Sequence, residues 1–406
     1  MILQPESQKM RNRGEKEDLE GKLPVSVTRD SSVSLLRVLA TLIVFVIGVV
    51  IGLTSSSHID RYFTFQAEQI IANNALADTV SKESGNCSVC EKEDCLSMDS
   101  FVRPKILIHG MSDEELFWRA SLEPYKKEFP FKRVPKVAFM FLTRGELPFI
   151  PLWERFFQGQ DVNKYSIYIH ALPGFVLSIS NTSVFYKRQI PSQHVEWGSV
   201  TLVDAEKRLM ANALLDFSNE RFVLLSESCI PVYNFPTVYK YLIGSIHSFV
   251  ESYDDPSRYG RGRYNRHMRP DIKLPDWRKG SQWFEMNRTL AVRVVSDTKY
   301  YDLFERFCKP ACYPDEHYIP TFIRLFHGPL NANRTVTYVD WSLGGPHPAA
   351  FSAVNITEGF LQLIRNNGTA CAYNSEKTHV CYLFARKFNP SALEPLLNLS
   401  SKVMEY

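Results

Sequence analysis

An apolar run near the amino terminus constrains this chain more than any other feature. From Val33 to Leu53 the sequence reads VSLLRVLATLIVFVIGVVIGL, with Arg37 as its only charge. Its uninterrupted part, Val38–Leu53, has 16 residues. Adding Leu35 and Leu36, with Arg37 reaching back to the head groups, approaches the roughly 20 residues that cross a bilayer. A buried soluble helix would show a polar face, and this run has none. The 32 mostly polar residues ahead of it do not fit a cleaved signal peptide. The expectation is a cytosolic tail over 1–32 and a retained signal-anchor over 33–53.

The flanks set the orientation. Lys22, Arg29 and Arg37 lie in the 20 residues before Val38, but only Arg61 in the 20 after Leu53. That asymmetry places the amino terminus in the cytosol. All 8 cysteines (87, 90, 95, 229, 308, 312, 371 and 381) follow the span, as an oxidising lumen allows. So do 7 N-x-S/T sequons, at Asn86, Asn181, Asn287, Asn333, Asn355, Asn367 and Asn398. These counts predict a type II, single-pass membrane protein with a luminal carboxyl-terminal part.

The luminal part changes texture at Pro135. Residues 54–134 read as a stem: short helical patterns lead into a polar, acidic stretch holding Cys87, Cys90 and Cys95. That C-x-x-C has no second pair at zinc spacing and no thioredoxin-like strand beside it, so structural disulfides are expected. Beyond it, strand-length apolar runs at 137–143, 165–170 and 222–225 alternate with helical spacing at 147–158, 200–217 and 236–246. In the second helix Leu202, Leu209, Ala213 and Leu214 share a side. Such alternation predicts an α/β domain over 135–406 with a mainly parallel sheet. Ligands of such sheets lie at the carboxyl ends of the strands, which here are Thr143-Arg144, His170 and Ser226–Ser228.

Regular patterning stops between Asp254 and Gly280, where 8 basic residues fall in 22 positions: Arg258, Arg261, Arg263, Arg266, Arg269, Lys273, Arg278 and Lys279. This is either a solvated loop or a site for an anionic ligand such as a nucleotide sugar or acidic glycan. Nucleic acid is not expected, since 47 Lys+Arg against 44 Asp+Glu leave a net charge of only +3. No H-E-x-x-H, G-x-S-x-G or P-loop occurs, nor G-x-G-x-x-G after a strand. The most informative segment is Cys312-Tyr-Pro-Asp-Glu-His317. Proline followed by two acids is the pattern of a first helical turn, and an ionised carboxylate held there can act as a general base.

From about Pro135 to Leu397 the chain resembles the plant branch of the Core-2/I-branching β-1,6-N-acetylglucosaminyltransferase family. The matching segments are KVAFMFLTRGELP (136–148), YSIYIHALPGF (165–175), VEWGSVTLVDAEKRLMANAL (195–214) and RFVLLSESCIPVYNF (221–235). They continue with YGRGRYNRHMRP (259–270), WRKGSQWFEMNR (277–288), CYPDEHYIPT (312–321), YVDW (338–341) and CYLFARKF (381–388). The resemblance implies a GT-A-like, Rossmann-related mixed sheet flanked by helices, inverting transfer from a nucleotide sugar to a glycan or glycoprotein, and a place in the Golgi membrane. It places the catalytic base at Glu316 and a pair of diphosphate-binding cations at Arg365 and Lys387. Thr143, Arg144, His170 and Ser226 would line the nucleotide pocket. Metal-dependent relatives of the fold carry Asp-x-Asp after a central strand; Ser226-Glu227-Ser228 offers one carboxylate, so no metal and no other cofactor is expected. Trp283, Arg263 and Arg266 are candidate acceptor contacts, and Trp197 and Trp341 are further aromatic faces for a sugar. The acceptor-binding segment of the animal enzymes does not align with the basic loop, which leaves donor, acceptor and linkage open. The alternative to an enzyme is a glycan-binding or scaffold protein of the same fold. A hydrolase would need two carboxylates flanking the bond, and Asp315 and Glu316 are sequence neighbours.

Overall fold

The computed structural model describes Leu42 and residues 98–406 apart from 105, 127, 310 and 311. Apart from Leu42 the expected span lies outside the described residues, as do Asn86 and the cluster Cys87, Cys90 and Cys95. No helix among the described residues is long and apolar enough to cross a membrane. The chain divides into units 1–91 and 92–406, and everything below concerns the second.

That unit opens with two helices, α1 (Met98–Val102) and α2 (Asp113–Ala120). Ser112 begins α2 with a reciprocal capping box to Glu115. Although this stretch read as the end of a stem, it packs on the domain. Leu116 and Ala120 are buried in the core, the Phe217 amide donates to the Val102 carbonyl at 2.9 Å, and Asp113 pairs with Arg208 at 2.7 Å.

The α/β body then runs β1 (Lys136–Leu142), α3 (Ile150–Phe157), β2 (Tyr165–His170), α4 (Thr201–Leu214), β3 (Asn219–Ser226), β4 (Ile230–Pro231) and α5 (Phe235–Ile243). After the basic loop follow β5 (Glu285–Asn287), α6 (Arg288–Ser296), α7 (Lys299–Phe307) and α8 (Pro314–Phe326). The chain ends with β6 (Thr337–Val339), α9 (Glu358–Leu363), β7 (Cys371–Tyr373), β8 (Glu376–Thr378), β9 (Phe384–Arg386) and α10 (Leu393–Leu399). The main sheet has the order β2-β1-β3-β5. Its first three strands are parallel, whereas β5 is antiparallel to β3. A second sheet, β4-β9-β6, holds β9 antiparallel to β4 and parallel to β6.

The central strand explains its own sequence. Side chains alternate faces along a strand, and β1 is covered on both. Ala138, Met140 and Leu142 face a core built with α4, α6 and α8, while Val137, Phe139 and Phe141 face Trp153, Phe156, Phe157 and Phe235 on α3 and α5. A continuous apolar run is what two-sided burial demands. Each fully buried Phe contributes about 1.5–3 kcal/mol, and Phe139 and Phe141 are at most 1% exposed.

Helix α4 departs from the one-sided pattern of its sequence. It is buried nearly all round, Glu206, Lys207, Arg208 and Asn212 included, because β1, β2, α2, α6 and α8 all pack on it. Each charge must then find a partner. Arg208 pairs with Asp113, and the Lys207 ammonium donates to the Asp297 carbonyl at 2.8 Å. Between β3 and β5 lies a buried ion pair, with Arg221 donating twice to Glu285 at 2.7 Å and once to the His247 carbonyl at 2.7 Å. Disulfides join Cys308 to Cys312 and Cys371 to Cys381, and Cys229 is a buried free thiol.

Candidate active site

The strand register brings the predicted carboxyl ends together. Leu142 pairs with both His170 and Ser226, and the Thr143 amide donates to the His170 carbonyl at 3.0 Å. Three of these side chains are floor rather than lining. Thr143, His170 and Ser226 are 6%, 1% and 2% exposed. Ser226 is bonded to Ser228 and Cys229. Burial, reinforced by the Arg208 charge, pushes His170 down to about 4, so it is neutral. Arg144 alone of the set is exposed.

Glu316 lies where the sequence puts it, in the first turn of α8, with Pro314 at the start of the helix. The residue before, Tyr313, has φ of 55°, an uncommon left-handed backbone for a non-glycine residue. Its ring packs on Gly198, itself at φ 77°, where an added Cβ would approach the Tyr313 ring to 3.2 Å. Trp197 meets the same ring edge-on at 5.0 Å, and the Arg263 guanidinium stacks on it at 4.2 Å.

The Glu316 carboxylate is held through one oxygen. Oε2 accepts from Arg263 Nη1 at 2.7 Å and from Lys279 Nζ. Burial alone would raise its pKa, but the Lys279 and Arg263 charges outweigh this and hold it below the usual glutamate range. The backbone beside Lys279 is fixed as well. The Gly280 amide donates to the Glu316 carbonyl at 2.9 Å, and a Cβ at Gly280 would stand 2.0 Å from the Glu251 carbonyl oxygen. Only glycine fits so close a backbone approach. Next to Glu316, Asp315 is pushed up to about 7 by burial and then by the Glu316 charge, and its Oδ1 is buried without a partner. His317 stacks on Trp277 at 4.6 Å, with Nδ1 against the Arg278 carbonyl at 2.7 Å; burial lowers it to about 4.

The cations near the carboxyl terminus resolve differently from the sequence reading. The Arg365 guanidinium is already occupied: it donates to the carbonyls of Val232, at 2.9 Å, and Val403, and stacks on Tyr233 at 4.3 Å. It ties down the end of the chain. The open arginine is Arg386, at the end of β9. Its guanidinium lies 4.0 Å over the Trp283 ring, its Nε is buried without a partner, and no ion pair reaches it among the described residues. Burial lowers its pKa against the pull of Cys229 and Glu227. Lys387 follows it and likewise has no ion pair among the described residues. The Phe388 amide donates to the Ser228 carbonyl at 3.1 Å, joining this segment to the turn after β3.

Trp283 therefore has a different place from the one expected. It is 6% exposed with Arg386 against its ring, so it cannot offer that face to an acceptor. Arg266 is exposed and makes no hydrogen bond or ion pair with Glu316, whereas Arg263 does. Trp197 and Trp341 are each 49% exposed and keep open faces. Lys279, which holds Glu316, and Trp283, which carries Arg386, are 4 residues apart, a chain length of at most about 14 Å. Among the described residues no group of three or more His, Cys, Asp or Glu is placed to hold a metal ion.

The Core-2/I-Branching enzyme family model matches residues 137–365, which span the parallel sheet and the Glu316 helix. The chain belongs to the Core-2/I-branching enzyme family. It is similar to Glycosyltransferase BC10 of rice (Oryza sativa subsp. japonica), at 36% identity over 310 residues, 65% of this chain and 76% of that protein. A Core-2/I-branching protein with this relative is a glycosyltransferase, and the family implies a nucleotide-sugar donor and a glycan acceptor.

Proposed function

We propose that this glycosyltransferase has a GT-A-like domain, inverts the anomeric centre and works without a metal ion, transferring a sugar to a glycan or glycoprotein hydroxyl in the Golgi. The observation that carries this reading is an ionised Glu316 held by two cations at the start of α8, together with two further cations, Arg386 and Lys387, that have no ion pair among the described residues. The acceptor O–H gives its proton to Glu316 while its oxygen attacks the anomeric carbon. The bond to the phosphate oxygen breaks on the opposite face, and the diphosphate leaves with the bonding pair. Arg386 and Lys387 meet the charge that develops there, the work a metal ion does in other enzymes. Trp197, Tyr313 and Arg263 offer the acceptor an aromatic and cationic surface beside the base.

The same reading keeps residues 33–53 as the membrane anchor, 54 onward as luminal, and donor and acceptor identities open. Two disulfides are compatible with a luminal compartment. The test is to incubate the full chain in detergent with a panel of nucleotide sugars and plant glycan acceptors, with and without EDTA. Transfer that survives EDTA, with the opposite anomeric configuration in the product, is expected. Loss in EDTA restored by Mn²⁺ contradicts the metal-independent part and turns attention to Glu227. Glycan binding without transfer from any donor favours a scaffold.

A further inference from the structure

We infer that Lys279 is a positioning residue for the base: with Arg263 it anchors Oε2 of Glu316, so that Oε1 is the oxygen presented to the acceptor hydroxyl. This rests on the reading of Glu316 as general base. Sequence alone makes Lys279 one of 8 cations in a loop. The structure separates it from the others.

Three observations set it apart. Both cationic contacts fall on Oε2, and no hydrogen bond reaches Oε1 among the described residues. Lys279 is also held on a fixed backbone: its amide donates to the Tyr253 carbonyl and its carbonyl accepts from the Tyr253 amide, each at 2.9 Å. The next residue, Gly280, bonds to the Glu316 backbone, so the lysine and the carboxylate it holds are locked in register. Most of the loop's other cations are engaged elsewhere or exposed. Arg261 pairs with Asp254, Arg278 bonds to the carbonyls of Pro275 and Trp277, and Arg266, Arg269 and Lys273 are exposed.

The chemistry follows from where the charges stand. Glu316 is only 23% exposed, and burial favours its neutral form. A neutral acid cannot take a proton. Two cations on Oε2 keep the group ionised, at the cost of basicity. A weakened base suits a hydroxyl that becomes acidic only as its oxygen bonds to the anomeric carbon, because proton transfer is then late. Once Oε1 has taken the proton, the neutral acid lies between two cations, which favours its release to water and restores the carboxylate. The other titratable or charged groups around this pair are Tyr253 and Glu251 before the loop and Asp315 and His317 on α8, with Glu206 on α4 acting on Asp315.

The test is kcat/KM against pH for the full chain, comparing wild type with Lys279→Met, Lys279→Arg and Glu316→Gln, with Tm recorded for each. In Lys279→Met the acid limb is expected to move up by about one pH unit, since an opposite charge at this range shifts a carboxylate by at least that much. Lys279→Arg returns the limb toward wild type. A role confined to folding would lower Tm and leave the limb in place. An unmoved limb in Lys279→Met, with Glu316→Gln inactive, overturns the positioning role and spares the base. Full activity of Glu316→Gln, or no transfer by wild type, overturns both. Should Lys279→Met fail to fold, Lys279→Gln, which keeps a donor without the charge, carries the same comparison.

Discussion

Replacing Arg386 with Met removes the proposed diphosphate contact while keeping an apolar side chain of similar length on Trp283. In the free protein the guanidinium has its ring contact at 4.0 Å and an Nε without a partner. A cation on an indole contributes about 0.5–2 kcal/mol, and a thioether on the same ring recovers about 0.3–1.5 kcal/mol. Met also removes the need to bury an unpaired donor. The free protein is therefore expected to keep its Tm or gain slightly. Binding changes in the opposite sense. A phosphate accepting two charge-assisted hydrogen bonds, after competition with water, gains about 2–4 kcal/mol from this group. At about 1.4 kcal/mol per tenfold, nucleoside diphosphate affinity falls by roughly 30- to 700-fold. Calorimetric titration with UDP and GDP in EDTA, beside a thermal melt, reads both effects. Affinity within threefold of wild type refutes the assignment. So does a large fall in Tm, which would make Arg386 a structural residue like Arg365.

Other consequences can be measured separately. Glu285→Ala leaves Arg221 buried without its bidentate partner. It should cost about 3–5 kcal/mol in urea unfolding, and a loss below about 1 kcal/mol would show that the carbonyls of Ser245 and His247 suffice. Asp315 holds its proton up to about pH 7 in the fold but only to about 4 when unfolded. Its raised pKa gives a contribution that is present at low pH and lost as pH rises through this window, at about 1.4 kcal/mol per unit. Asp315→Asn should therefore gain stability relative to wild type from pH 4 to 7, and parallel stability curves would contradict the burial of an unpaired carboxyl. In Gly280→Ala the methyl meets the Glu251 carbonyl and displaces the segment holding Lys279. A kcat drop of at least about tenfold is expected, and wild-type kinetics would mean that the register of Lys279 and Glu316 is not needed.

What could be read from the sequence divides by physical cause. VAFMFLT announces a strand because both faces of β1 are covered, so the pattern needs no knowledge of neighbours. Pro314-Asp315-Glu316 announces a helix start because capping is local. Strand β5 has only three residues and no periodicity to read, so its reversed direction is set by tertiary pairing with β3. The packed helices at 98–120 were invisible for a similar reason: Leu116 and Arg208 are 92 positions apart in sequence yet belong to the same corner of the domain. The site follows this division. Glu316 carries a local signature. Arg365 and Arg386 are both arginines near the carboxyl terminus, and only the fold tells that one guanidinium is occupied by carbonyls and the other is open. The sequence offers Trp283 as a sugar platform, but Arg386 lies against its ring, and the role proposed for Lys279 depends on a contact 37 positions away.

If Glu316 takes the acceptor proton, the ratio of kcat for wild type and Glu316→Gln on one donor–acceptor pair reads that step. Glutamine keeps the shape and one acceptor oxygen but cannot take the proton. General base catalysis is worth about 10²–10⁴-fold. A general-base role for Glu316 predicts a kcat loss in that range with donor affinity and Tm close to wild type. A kcat within threefold of wild type contradicts it.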